Sequence, residues 1–273
     1  MSTVTTALDD HELARALADA AGEVLLVLRE RTGSDGDAGQ LRADGDRQSH
    51  LFLMEQLAEA RPDDAVLSEE GKDDPVRLEA DRVWIIDPLD GTREFGEVPR
   101  DDWAVHVALW ERGELVAGAV ARPARGTTLA TDHSSSPGAD GSAELDEARP
   151  NEGRTTRLRL AVSRSRPPAF VTSLAERLDA ELVPMGSAGI KATAVVDGTV
   201  DAYVHAGGQF EWDSAAPVAV ARARGFHTSR IDGTPLQYNR EDPLLPDLLI
   251  CRRDVADRLL DAIRELTNER TPA

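Results

Sequence analysis

The sequence predicts a layered α/β sandwich. Strands grouped into a meander fill the first half, and strands alternating with helices fill the second, which argues against a single doubly wound sheet. The chain has 273 residues, too long for one minimal domain and short for three, and at 41% hydrophobic it can bury a substantial core. Aromatics make up only 4%, so that core must be mostly Ala, Val, Leu and Ile.

From Asp10 to about Arg31, Leu13, Leu17, Val24, Leu25 and Leu28 recur at helical spacing, with Asp9 or Asp10 as N-cap and Gly33 as stop. "GSDGDAGQLRADG", residues 33–45, reads as a flexible loop. A second helix is expected over about 47–60, opened by Asp46, with Leu51, Met54 and Leu57 on one face and Pro62 closing it. "AVLSEEG" is a short strand ending in Glu69 and Glu70, and "RVWIID" is the next strand, β-branched before its acids. The stretch from Trp103 to Thr131 alternates as an antiparallel meander, with "ERGE" (111–114) as a hairpin turn.

Residues 132–156 are rich in Ser, Gly, Pro and acids and read as a mobile linker or surface loop. They divide an N-terminal α+β half (1–150), with the antiparallel sheet, from a C-terminal α/β half (151–273). In the second half, "RLRLAVSRS", "ELVPMG", "VDAYVHA" and "DLLICRR" read as strands. "PAFVTSLAERLDA", "SAGIKATAVVDG", "WDSAAPVAVARARG" and residues 254–267 read as helices.

The net charge is −19, from 31 basic and 50 acidic residues, which argues against a nucleic-acid or anionic-membrane binder. An anionic substrate would need a local cation to offset these acids, and a metal ion is the natural candidate. A single cysteine, Cys251, permits no intramolecular disulfide, and the charged N-terminal stretch lacks the form of a signal peptide; both suit the cytoplasm. The six histidines are dispersed, with no H-x-x-x-H pair for a zinc site.

Carboxylates collect at the element junctions. Glu69 and Glu70 end one strand, Asp87 and Asp90 the next, and Asp46 and Asp213 stand at helix starts. If the two strands are neighbours, their acids crowd one edge, and crowded acids either share protons or bind cations. D-P-x-D suits Mg2+: Pro88 fixes a turn, both carboxylates can face one side, and the Leu89 carbonyl adds a hard oxygen. Gly91 and Thr92 follow at a helix start, where backbone N–H groups can receive phosphate oxygens and the Thr92 hydroxyl can orient a water. Taken singly, these acids are also ordinary turn and N-cap residues.

"SEE", "WIIDPLDGTREF" and "EWDSAAPVAVARARGF" together resemble the lithium-sensitive, magnesium-dependent phosphatase superfamily that includes the inositol monophosphatases. The resemblance covers most of the chain. It implies an αβαβα sandwich of the inositol monophosphatase/fructose-1,6-bisphosphatase type, with two or three Mg2+ ions per site. It also implies metal ligands at Glu69, Asp87, the Leu89 carbonyl, Asp90 and Asp213. Asp46 and Thr92, with Glu69, match the group that activates the attacking water, although "LRADGDRQS" departs from the family's approach to that aspartate.

"DGTREF", "VSRS", "GSAGIK" and "DGTPLQYN" resemble the CysQ-type 3′(2′),5′-bisphosphate nucleotidase branch. This implies substrate contacts from Gly91, Thr92, Ser163, Arg164, Ser187, Lys191 and Asp213; Ser187 stands one position earlier than in the common pattern. The reaction implied is hydrolysis of 3′-phosphoadenosine 5′-phosphate to AMP and phosphate, clearing a by-product of sulfate assimilation and sulfonation. The expected partner is that small bisphosphate nucleotide, with no nucleic acid and no membrane, and a homodimer is compatible with it. The alternatives are a broader inositol-1-phosphate or fructose-1,6-bisphosphate phosphatase and a non-catalytic metal or phosphate sensor.

Overall fold

The computed structural model describes residues 8–33, 36–131 and 157–270. The expected linker, 132–156, lies outside the described residues. The elements stack as helix pair, sheet, helix pair, sheet, helix pair, the αβαβα order the resemblance implies.

Helix α1 (Asp10–Thr32) opens with a capping box in which the Glu12 amide donates to Asp9 Oδ1 at 2.8 Å and the Asp9 amide donates to Glu12 Oε2 at 3.2 Å. Helix α2 (Ala38–Ala60) corrects the expected loop at 33–45 and the helix start near 47. Gly39, Gly45 and three aspartates gave that segment the composition of a turn. Gly45 is a packing residue instead: a Cβ there would sit 2.7 Å from the Phe95 ring and 2.9 Å from Leu89. Its absence lets α2 lie against the acid-bearing strand. The buried face is Leu41, Gly45, Ser49, Leu53, Gln56 and Leu57, while Leu51, expected on it, is 55% exposed.

The first sheet runs β1 (Ala65–Ser68), β2 (Arg82–Asp90), β3 (Ala104–Glu111), β4 (Glu114–Arg122), β5 (Thr127–Ala130), in that spatial order. The β1–β2 pair is parallel and the others antiparallel. A five-residue helix, α3 (Thr92–Gly96), follows β2. The expected hairpin is a two-residue turn between Glu111 and Glu114, with Arg112 and Gly113 both at positive φ (46° and 102°), the twist that joins such strands. Alternation along β2 sends Trp84 and Ile86 toward α1 and α2 and Val83 and Ile85 to the opposite face.

The remaining elements are β6 (Arg159–Ser163), α4 (Ala169–Leu178), β7 (Glu181–Met185), α5 (Ala188–Val196), β8 (Ala202–Phe210), α6 (Glu211–Ala223), β9 (His227–Ser229), β10 (Leu244–Cys251) and α7 (Arg253–Arg270). The second sheet has the order β7-β6-β8-β10-β9, and its edge strand β9 is too short to show in the sequence pattern. Helices α5 and α6 form the middle layer, where Ile190, Ala215, Ala216 and Val218 meet Val83, Ile85 and Ala108 of the first sheet. Small residues make this contact close: a Cβ at Gly118 would lie 2.8 Å from that of Ala219. A core poor in aromatics thus gains its density from alanine and glycine. On the outer face of the second sheet, Leu160 and Val204 pack with Val171, Leu174 and Leu259 of α4 and α7. Each such buried Leu or Val contributes about 1.5–3 kcal/mol relative to exposure. Among the described residues no helix is long and apolar enough to cross a membrane.

Candidate active site

The parallel register Ser68↔Ile86 sets the ends of β1 and β2 side by side, so Glu69 and Asp87 emerge together. Between Asp87 and Asp90 the β2–β3 ladder slips: Asp87 faces His106 and Asp90 faces Ala104, three steps on one strand against two on the other. Pro88 stands inside this bulge, where no ladder hydrogen bond is required of it. The Leu89 amide donates to Asp87 Oδ1 at 3.0 Å, and the Ser49 hydroxyl on α2 donates to the Pro88 carbonyl at 2.7 Å, pinning the turn. Asp213 is the third residue of α6, not its N-cap: the helix starts at Glu211, and the Phe210 amide donates to Asp213 Oδ2 at 2.7 Å.

Asp87, Asp90 and Asp213 offer carboxylate oxygens that all lie within 4.8 Å of one another. Asp87 and Asp90 are 1% and 6% exposed. Burial, then Glu69 and the other acids, pushes Asp87 well above the usual carboxylate range. Burial likewise pushes Glu69 up to about 7, against a hydrogen bond with Asp87. Two carboxylates make that bond only when one keeps its proton. Asp213 is raised to about 6 by burial and by Asp90. Two buried acids, Asp87 and Asp90, with the half-buried Asp213 and the more exposed Glu69 beside them, form a donor set of hard oxygens that fits a divalent cation.

Asp90 is different. Burial would raise it, but His106, Lys191 and Ser187 more than offset this and hold it low. Ser187 Oγ donates to Asp90 Oδ2 at 2.5 Å, and the Ala188 and Gly189 amides donate at 2.9 and 2.6 Å. Asp90 therefore ties the first sheet to the start of α5. Lys191, 7% exposed, points its ammonium to the Ser187 carbonyl at 2.5 Å and over the Tyr203 ring at 5.4 Å.

Asp46 lies in the third turn of α2 rather than opening a helix, which corrects its expected place without moving it from the site. The Thr92 hydroxyl is 3.1 Å from Asp46 Oδ1 and 3.0 Å from the Leu89 carbonyl, and donates to one at a time. Burial, then Glu70, raises Asp46 to about 6. Gly91 turns the chain at φ 86°, where a side chain would crowd Ser187 and Trp103. Arg164 is exposed and donates to Glu94 Oε1 and Glu97 Oε2, both at 2.9 Å; Ser163 Oγ accepts from the Arg166 amide at 3.3 Å.

The sequence reading missed His106. It is fully buried, donates from Nδ1 to the Trp212 carbonyl at 3.0 Å, and faces Asp90 through Nε2. A carbonyl only accepts, so Nδ1 carries a proton. The signal was one ionisable residue in the apolar run "WAVHVALW". Also missed was the buried Arg77–Asn239–Glu211 network that braces the start of α6.

The sequence profile described as the inositol monophosphatase family matches residues 9–268. The chain belongs to this family. It is 50% identical over 273 residues to a Mycobacterium leprae protein named 3′-phosphoadenosine 5′-phosphate phosphatase, covering 95% of each chain. It is 31% identical over 250 residues to the 3′(2′),5′-bisphosphate nucleotidase CysQ of Escherichia coli K12, covering 84% of this chain and 94% of that one. Among solved structures, CysQ from Bacteroides thetaiotaomicron superposes with a TM-score of 0.72 at 26% identity, over 91% of this chain and 99% of that one. The IMPase of Thermotoga maritima gives the same TM-score at 20% identity, over 96% and 99% of the two chains.

Proposed function

We propose that the chain is a Mg2+-dependent phosphomonoesterase that hydrolyses 3′-phosphoadenosine 5′-phosphate to AMP and phosphate. The observation that carries this is the 50% identity, along 95% of both chains, to the M. leprae phosphatase of that name. The acid cluster supports it. Asp87, Asp90 and Asp213 with Glu69 and the Leu89 carbonyl would hold the cations. When bound, these supply positive charge to the phosphoryl group and lower the pKa of water.

The chain's own groups do the rest. The Thr92 hydroxyl, donating to Asp46 at 3.1 Å, keeps its lone pairs turned to the site and orients the nucleophilic water. Asp46, raised to about 6, is ionised at neutral pH yet basic enough to receive a proton. Glu69, raised to about 7 beside Asp87, is a second acceptor. Gly91 and Thr92 offer backbone amides to phosphate oxygens. Ser187 and Lys191 set the charge and position of Asp90, while Ser163 and Arg164, at the end of β6, would meet a second phosphate. Clearing the nucleotide by-product of sulfonation in the cytoplasm is the role this reaction implies.

The test is phosphate release from the bisphosphate nucleotide, inositol 1-phosphate and fructose 1,6-bisphosphate side by side, with Mg2+ and with lithium added. The reading requires the nucleotide to have the highest kcat/KM and lithium to inhibit. A preference for inositol 1-phosphate would overturn it.

A further inference from the structure

Phe210 is the only aromatic among the large hydrophobic side chains exposed in the described residues, at 39%. It belongs to none of the three hydrophobic clusters that hold the layers together. Its ring nevertheless has a fixed partner: it stacks on Trp212 with centroids 4.7 Å apart and planes 10° from parallel. Trp212 packs against the middle-layer core, so the pair is anchored on one side and open on the other. Its place is equally defined, because the Phe210 amide donates to Asp213 Oδ2 at 2.7 Å. A flat apolar surface thus begins one residue from the acid cluster.

The neighbouring chain keeps that surface clear. Gly207 and Gly208 precede it at φ 102° and 82°, with open space where a Cβ would be. Leu244, the cross-strand partner of Phe210, is exposed at 44% and extends the apolar surface. Leaving an aromatic in water forgoes burial energy that a stacking ligand would recover. Phosphate, ribose and inositol have no π-face to stack on a ring, but a purine does.

We propose that the Phe210–Trp212 stack is the platform for the nucleobase of the substrate while its phosphate is held at the acid cluster. The inference rests on the nucleotide reading above and assigns its base selectivity to Phe210. Asp213 then couples the two ends of the substrate, since the carboxylate that fixes the Phe210 backbone also faces the cations.

The experiment uses the full chain with Mg2+. KM and kcat are measured for adenosine 3′,5′-bisphosphate, and Ki for AMP and for ribose 5-phosphate, in wild type, Phe210→Ala and Phe210→Tyr. Phe210→Ala should raise KM and the AMP Ki about tenfold, with the ribose 5-phosphate Ki moving less than about twofold, and Phe210→Tyr should restore both. Equal weakening of AMP and ribose 5-phosphate, or no change in either, would overturn the platform. So would a change in oligomeric state in sedimentation with nucleotide affinity intact, because Phe210 would then be an interface residue. A wild-type enzyme that ignores the bisphosphate nucleotide overturns the substrate reading instead; the ratio of AMP to ribose 5-phosphate affinities still decides the platform.

Discussion

His106 Nε2 lies 3.1 Å from Asp90 Oδ2, with the histidine fully buried and the aspartate nearly so. Burial alone would lower the imidazole, but Asp90 outweighs it and raises His106 above its usual value. The contact depends on Gly189, where a Cβ would fall 2.1 Å from Nε2. With an acceptor at each ring nitrogen, the Trp212 carbonyl and the Asp90 carboxylate, His106 is placed to favour its charged form beside a carboxylate expected to bind a cation. Removing one partner of a buried pair costs about 3–5 kcal/mol, because the remaining charge is stranded. His106→Phe should lose about that much stability in denaturant titrations of the metal-free protein. Saturating Mg2+ should recover more stability in the variant than in wild type. Equal recovery in the two would mean that His106 only fills space.

The acid cluster fixes the sign of a pH effect. Glu69 is raised by burial to about 7, and Asp46 and Asp213 by burial to about 6. Unfolded carboxyls titrate near about 4. Between those values the folded chain keeps protons that the unfolded chain releases, so stability falls as pH rises through the window. His106, also raised, works in the same direction: its contribution is present below the unfolded value of about 6.5 and is lost as pH rises through its folded value. Asp90, held low, acts in the opposite sense but only in acid, where stability is lost as pH falls through its folded value. The metal-free protein should therefore melt at least about 3 °C lower at pH 8 than at pH 6. Mg2+ should abolish most of that difference, since a cation replaces the protons. A flat metal-free profile would mean the acids are not crowded in solution.

Much of this site was legible in the sequence because its acids sit at element ends, where D-P-x-D-G-T is a local signal. The strand pair that joins Glu69 to Asp87 was legible too, as adjacent runs of β-branched residues ending in acids. Asp46 was assigned to the site by resemblance and misplaced locally. The first two turns of helix α2 read as a loop in part because Gly45 is selected by contact with Phe95 and Leu89, a tertiary demand that no local pattern encodes. His106, Glu211 and Arg77 were invisible for a related reason. Each is a buried polar group whose partner stands far along the chain, 162 residues away for Arg77 and Asn239. Phe210 carried no signal until its exposure was known.

In the proposed mechanism the Thr92–Asp46 contact separates water activation from cation binding. Thr92→Val keeps the shape and removes the hydroxyl; Asp46→Asn keeps the hydrogen bond to Thr92 and removes the charge. Each should lower kcat by about 10²–10⁴-fold. Mg2+ affinity measured by calorimetry should stay close to wild type in both, whereas Asp87→Asn should lose binding and turnover together. Loss of Mg2+ binding in Thr92→Val would move Thr92 from the water to the cation shell.

Arg77 links the two chain segments that deliver the outlying acids. It is 1% exposed, and its guanidinium donates to Asp73 Oδ1 at 2.7 Å, to Asn239 Oδ1 at 2.7 Å and to the Arg240 carbonyl at 2.8 Å. The Asn239 and Arg240 amides in turn donate to the two oxygens of Glu211, at 2.6 and 2.8 Å. Glu211 is two residues from Asp213 on the same turn of α6, and Asp73 is four residues beyond Glu69. The network therefore sets the distance between acids that arrive from opposite halves of the chain. Arg77→Met preserves the stem and strands the acceptors, which should cost about 1–3 kcal/mol for each group left unpaired. Positioning predicts a further effect that lost stability does not. The Mg2+ concentration for half-maximal activity should rise about tenfold, while KM at saturating Mg2+ changes little, and Arg77→Lys should recover only part because it cannot fork to three acceptors. A lower melting temperature with unchanged Mg2+ dependence would confine Arg77 to a structural brace.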